Sequence, residues 1–111
     1  MKRTLALVEV AMVLLADPDG RHYGYETGKK TGLRSGVLYP IFTRLLEDGW
    51  VDSAWEDPDD NLKRPPRRYY TLTDQGKTEL RALVASAKVD RRFAAKHGST
   101  LGWAAKLRWA R

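Results

Sequence analysis

Apolar residues recur along this chain in two rhythms, helical at both ends and alternating in the middle. Between residues 4 and 16, Leu5, Val8, Met12 and Leu15 form one stripe at helical spacing, and Leu7, Val10, Ala11 and Leu14 widen it. A face that broad exceeds what one small domain usually buries, which predicts a second partner surface. Asp17-Pro18-Asp19-Gly20 then makes a turn, because proline presets φ and glycine accepts positive φ. Residues 22–31 read as a short helix, Tyr23 to Lys30, ending at Gly32. Gly28 inside it costs on the order of 1 kcal/mol relative to alanine. Leu33-Arg34-Ser35 supplies a tight turn, with Ser35 placed to cap the next helix. That helix, Ser35 to Asp48, carries Leu38, Ile41, Phe42 and Leu45 on one face. Pro40 is expected in about its first turn, where a missing N–H is tolerated, and Asp48-Gly49 ends it.

The rhythm then shortens. Trp50 to Glu56 reads as a strand bounded by Gly49 and by the turn cluster Asp57-Pro58-Asp59-Asp60-Asn61. Arg67 to Leu72 is the return strand, with Tyr70 and Leu72 on a core-facing side, and Trp50 and Trp55 are expected to pack beneath this hairpin. Thr73 is placed to cap a last long helix from about Asp74 to Lys96, with Leu80, Leu83, Val84 and Ala87 on one face. His97-Gly98-Ser99-Thr100 breaks it. Residues 101–111, with Trp103 and Trp109, form either a short amphipathic helix or a tail. A short helix, a turn, a longer helix and a two-stranded hairpin make a winged helix-turn-helix. The fold class expected is therefore mainly helical α+β. The winged helix would span 1–73, a C-terminal dimerisation helix 74–97 and a basic tail 98–111. The broad face of the first helix and the stripe on the last place a dimer interface at Leu5, Val8, Met12, Leu80, Leu83, Val84 and Ala87.

A chain of 111 residues with 42% hydrophobic content builds one modest core. It is too small for a separate ligand-binding domain, so a small-molecule pocket would have to form between subunits. There is no cysteine, hence no disulfide framework or thiolate metal site. Lys and Arg total 20 against 14 acids; six of the bases and none of the acids lie from Arg91 onward. A basic end of this kind points to phosphate or an acidic surface as partner, with a solvated tail as the equal alternative. Met1-Lys2-Arg3 and the apolar run behind it look superficially like a signal peptide. Glu9 interrupts that run and no small-residue cleavage site follows. It also falls short of the roughly 20 residues that span a membrane. The expectation is a soluble, cytoplasmic protein with no membrane partner.

Enzyme readings lack parts. His22 and His97 are the only histidines and have no neighbours at metal-ligand spacing. No phosphate-binding glycine loop or nucleophile elbow is present, Asp59-Asp60 suits turn chemistry better than a catalytic pair, and no cofactor is implied. The outer face of the helix from Ser35 presents Gly36, Tyr39, Pro40, Thr43, Arg44 and Glu47. In helix-turn-helix docking the N-terminal residues of the second helix meet base edges and phosphates. Arg34, Ser35, Tyr39, Thr43 and Arg44 are thus candidate DNA contacts, with Gly36 permitting close backbone approach. Lys29 and Lys30 are candidate phosphate clamps. Lys63, Arg64, Arg67 and Arg68 of the wing could reach backbone or minor groove, whereas Asp57, Asp59 and Asp60 would turn the wing tip away. The competing readings are a solvated helix face and a solvated hairpin.

Specific blocks carry a resemblance. Gly36-Val37-Leu38-Tyr39-Pro40, Arg44-Leu45, Glu47-Asp48-Gly49-Trp50-Val51, Trp55, and Arg67-Arg68-Tyr69-Tyr70-Thr71-Leu72-Thr73 with Gly76 resemble the PadR-like transcriptional regulators, as does Tyr23-Gly24-Tyr25-Glu26. The resemblance covers roughly residues 4–85. It implies a homodimer, paired through its first and last helices, that binds double-stranded DNA at an inverted-repeat operator and represses transcription. It also implies that a small aromatic effector, bound between subunits, releases DNA in some members. It carries DNA contact to Ser35, Tyr39, Pro40 and the wing arginines. Gly28, the acidic wing tip and the basic end after Gly98 depart from the family pattern. The alternative is a winged-helix adaptor that binds proteins without reading DNA sequence.

Overall fold

A computed structural model describes residues 2–58 and 63–89. Helix α1 (Leu5–Ala16) begins at Thr4, whose hydroxyl accepts the Leu7 N–H at 3.1 Å and satisfies one amide that the first turn leaves open. Its wide apolar face makes it the centre of the molecule. Leu7, Val8, Val10, Ala11, Val13 and Leu14 are all buried, and α2, α3 and α4 all pack on it. Helix α2 (Gly24–Thr31) ends at Gly32, which takes the left-handed conformation at φ 76°. The three residues 32–34 turn the chain into α3 (Ser35–Glu47), and Gly49, at φ 74°, redirects it into β1 (Val51–Trp55).

β1 pairs antiparallel with β2 (Arg68–Leu72) in a register that sets Val51 opposite Leu72, Ser53 opposite Tyr70 and Trp55 opposite Arg68. A third short stretch joins this sheet. The His22 N–H and carbonyl exchange hydrogen bonds of 2.8 Å with Tyr70, fastening the start of the helix-turn-helix to the wing. Helix α4 (Asp74–Val89) is capped as expected: the Thr73 hydroxyl accepts the Gly76 N–H at 2.9 Å and donates to the Gly49 carbonyl at 2.7 Å. Gly76 lies so close to the Trp50 carbonyl oxygen that a Cβ there would overlap it. An ion pair between Lys77 and Asp19, 2.6 Å, ties the α1–α2 turn to the same end of α4.

The mainly helical α+β winged-helix expectation holds, with element ends within two residues wherever the ends are described. Four details differ. Ser35 is the first helical residue and exposed, while Arg34 occupies the cap position and makes no side-chain cap bond, so Ser35 does not cap α3. Pro40 lies inside α3, beyond the first turn, where it removes the amide that would bond the Gly36 carbonyl. Trp55 does not pack beneath the hairpin: it is 67% exposed, because β1 at that end has run past the core. Trp50 does pack against the core. Val8, Leu80, Val84 and Ala87 are enclosed within the single chain, through the packing of α1 on α4, whereas Leu5, Met12 and Leu83 are only half-buried. The wing-tip acids Asp59 and Asp60, the expected helix beyond Val89 and the tail 98–111 with Trp103 and Trp109 lie outside the described residues.

Candidate nucleic-acid interface

The stripe Leu38, Phe42 and Leu45 seats α3. All three are buried, and the Phe42 ring stacks on Tyr70 of β2 at 4.1 Å between centroids. Fully burying such a side chain contributes about 1.5–3 kcal/mol, which fixes the rotation of α3 about its axis. The opposite face is thereby exposed: Gly36, Tyr39, Pro40, Thr43, Arg44 and Glu47 all face solvent, as their spacing predicted. The first turn also leaves the Ser35 and Gly36 amides without helical partners, at the positive end of the helix dipole.

Tyr39 stands where α2, α3 and the wing meet. Its ring lies against Gly24, where a Cβ would come within 2.5 Å of its hydroxyl, so glycine at the start of α2 is what lets the tyrosine lie there. Close by, Tyr23, Tyr25, Tyr70, Arg67 and Arg68 complete a crevice of about 300 Å³ between the helix-turn-helix and the wing. Tyr25 is 69% exposed and Lys29 lies over its ring at 4.8 Å. Lys30 and Arg34 are exposed. The Thr43 hydroxyl donates to the Tyr39 carbonyl at 3.0 Å, which leaves its oxygen to accept and not to donate. Arg44 sits on the far flank of α3, where it lines a groove with Lys2, Thr4, Pro40 and Ile41.

The wing cations separate into different environments. Arg67 is exposed at the crevice. Arg68 donates to the Ser53 hydroxyl at 2.9 Å and lies over the Tyr70 ring. Lys63 is exposed. Arg64 is engaged in a bidentate pair with Glu56, at 2.7 and 3.2 Å. The Arg64 guanidinium, the Arg67 backbone N–H and the Tyr23 hydroxyl hold the Glu56 carboxyl down to about 2. Sequence reasoning missed Glu56 entirely, since nothing in the strand pattern marks an acid at the hairpin's base as a hub. His22, also unassigned, is buried with its Nε2 2.8 Å from the Asp17 carbonyl; burial lowers its pKa. A carbonyl only accepts, so Nε2 carries the proton of the neutral ring. Among the described residues no cluster of His, Cys, Asp or Glu could hold a metal ion, and no helix is long and apolar enough to cross a membrane.

Comparison with known proteins agrees with this geometry. A PadR family regulator from Eggerthella lenta is 30% identical, the match covering 77% of each chain, with a TM-score of 0.59. The PcaV transcriptional regulator from Streptomyces coelicolor is 26% identical over 86% of this chain and 65% of its own, with a TM-score of 0.63. A PadR-like regulator from Bacillus cereus shares the fold at 24% identity, covering 78% of this chain and 87% of its own, with a TM-score of 0.60. No curated protein matches the sequence significantly. The model of the transcriptional regulator PadR-like family matches residues 14–82, from the end of α1 through the wing and into α4. The chain therefore belongs to the PadR-like family of transcriptional regulators, as a DNA-binding regulator.

Proposed function

We propose that the protein is a homodimeric repressor whose α3 enters the major groove of an inverted-repeat operator. The observation that carries the reading is the outer face of α3, where Ser35, Gly36, Tyr39, Pro40 and Thr43 are exposed together, with exposed Arg34 at its cap position and Lys29 lining the groove it shares with α2. Ser35 and Tyr39 offer hydroxyls to phosphates. Arg34 suits a guanine edge or a phosphate, and Lys29 and Lys30 suit the backbone before the turn. Arg44, Lys63 and Arg67 would extend the contact along the flanks. Each cation that neutralises a phosphate adds about −0.9 to the slope of log affinity against log salt.

Dimerisation is assigned to α1 and α4. Their mutual packing encloses Val8, Leu80, Val84 and Ala87 and leaves the half-buried Leu5, Met12 and Leu83 as the apolar surface open to a second copy. A two-fold dimer sets half-site centres about 10 bp, or a multiple, apart. In the same reading a small aromatic effector would bind between subunits. Footprinting on the protein's own upstream region tests the assignment, with wild type and Tyr39→Ala compared. Protection of two related half-sites by the wild type and its loss in the variant is the expected result; equal protection by both removes α3 from the interface. A monomer mass by light scattering at micromolar concentration removes the dimer.

A further inference from the structure

Glu56 follows β1 directly, and three donor groups converge on its carboxylate. Arg64 of the wing donates Nη1 to Oε1 at 2.7 Å and Nη2 to Oε2 at 3.2 Å. The Arg67 backbone N–H donates to Oε1 at 2.9 Å. The Tyr23 hydroxyl, from the residue that caps α2, donates to Oε2 at 3.1 Å. The Glu56 N–H in turn donates to the Arg67 carbonyl at 2.9 Å, extending the ladder one pair beyond Trp55 and Arg68.

A hairpin needs turn residues and a ladder to form. It does not need a carboxylate that reaches back to the helix-turn-helix. The Tyr23 contact is thus a cross-link between two bodies, and the Tyr23 ring reinforces it by packing tilted on Tyr69, 6.1 Å between centroids, while the Arg21 guanidinium lies over the Tyr69 ring. Electrostatics sharpens the point. An acid beside a DNA-facing crevice repels phosphate unless its charge is matched. The Glu56 side chain is only 14% exposed and has a guanidinium and two neutral donors directed at it.

We propose that Glu56 is a positioning residue for DNA binding: it locks the wing to α2 and so aims Arg67 at the crevice, with Arg64 as its internal counter-ion and not a phosphate contact. The proposal rests on the DNA-binding reading above and assigns within it which wing arginine faces DNA. It also sets a sign. If Glu56 were an inert neighbour of a phosphate-binding Arg64, removing its charge would free the arginine and tighten binding. If Glu56 positions the wing, removing its charge weakens binding, and losing Arg64 does the same through the same contact.

The test is fluorescence anisotropy with a labelled duplex of the protein's own upstream region and a mixed-sequence duplex as competitor. Wild type, Glu56→Gln, Arg64→Gln, the double variant and Tyr23→Phe are compared, the last removing only a hydroxyl and keeping the ring on Tyr69. Expected is a loss of about three- to tenfold for each Glu56 and Arg64 single variant, the size of a coupling between residues in direct contact. The double variant should be no weaker than the worse single one, because both substitutions break one contact. Tyr23→Phe should lose binding in the same direction by a smaller factor. Affinity equal to or tighter than wild type in Glu56→Gln, or additive losses in the double variant, would overturn the proposal while leaving the DNA-binding reading intact. A wild type that prefers neither duplex overturns both.

Discussion

The recognition helix and the wing border the same crevice, yet they are held there by different means. α3 is seated by Leu38, Phe42 and Leu45, three side chains of its own stripe, and would keep its outer face toward solvent on any core that accepted that stripe. The wing buries little of its own: Val51, Tyr70 and Leu72 are enclosed, but Ala54, Trp55 and Arg68 are exposed. Its pose comes from contacts far apart in sequence, namely Phe42 on Tyr70, His22 paired with Tyr70, and Glu56 joined to Tyr23. A two-stranded hairpin is only marginally stable by itself. Periodic burial therefore makes a face, while non-local pairing aims one.

The comparison can be broken most severely at the joint the two regions share. Phe42→Ala empties a fully buried site and removes the stack on Tyr70, so a loss of about 3–5 kcal/mol is expected. Urea unfolding followed by tryptophan fluorescence would measure it, and a loss under 1 kcal/mol would mean that the wing is seated without α3. Gly76→Ala comes next. Its Cβ would collide with the Trp50 backbone carbonyl, which cannot swing aside as a side-chain end can. A destabilisation of about 2–3 kcal/mol is expected, since the start of α4 must move off the α3–β1 connection. Thr73→Ala removes the cap of α4 together with the bond to the Gly49 carbonyl, costing about 1 kcal/mol. Thr73→Ser keeps the hydroxyl and should recover most of that in the same unfolding curves.

The smallest effect is pH-dependent and isolates the His22 pairing. Burial lowers the His22 pKa below its ordinary 6.5, so the native chain resists a proton that the unfolded chain accepts. Stability from this group is fully present above pH 6.5 and declines as the pH falls from there toward the lower native pKa. Below that value it levels. Glu56, held down to about 2, adds its own loss only below the ordinary carboxylate value of 4.5. Among the described residues, the window between pH 6.5 and 5 therefore belongs to His22. Melting temperature measured across it should fall in the wild type and stay flatter in His22→Gln. Equal slopes would remove His22 from the account.

Legibility in the sequence followed the same division. The outer face of α3, the glycine ends at Gly32 and Gly49 and the Thr73 cap were readable, because each depends on neighbours within a turn or two, whereas the α1 stripe read at Leu5, Met12 and Leu15 is only half-buried and its widened side forms the core. The cap wrongly expected of Ser35 shows the limit: whether a serine caps a helix or begins it is a matter of one residue's φ and ψ, which periodicity does not resolve. Trp55 shows another. Strand alternation tells which side a residue faces, not whether the core extends that far beneath it.

By itself, then, the amino-acid order determined the elements, the buried side of α3 and the family, since local periodicity and turn chemistry act over a few residues. The tertiary structure decided which charged side chains of the wing are matched internally. Arg64 and Arg67 stand three apart in the same basic run, and only the fold brings Glu56 to one and the open crevice to the other. An ion pair is formed by distance in space, and that distance is fixed by the register of β1 on β2 and by the return of the chain past Tyr23.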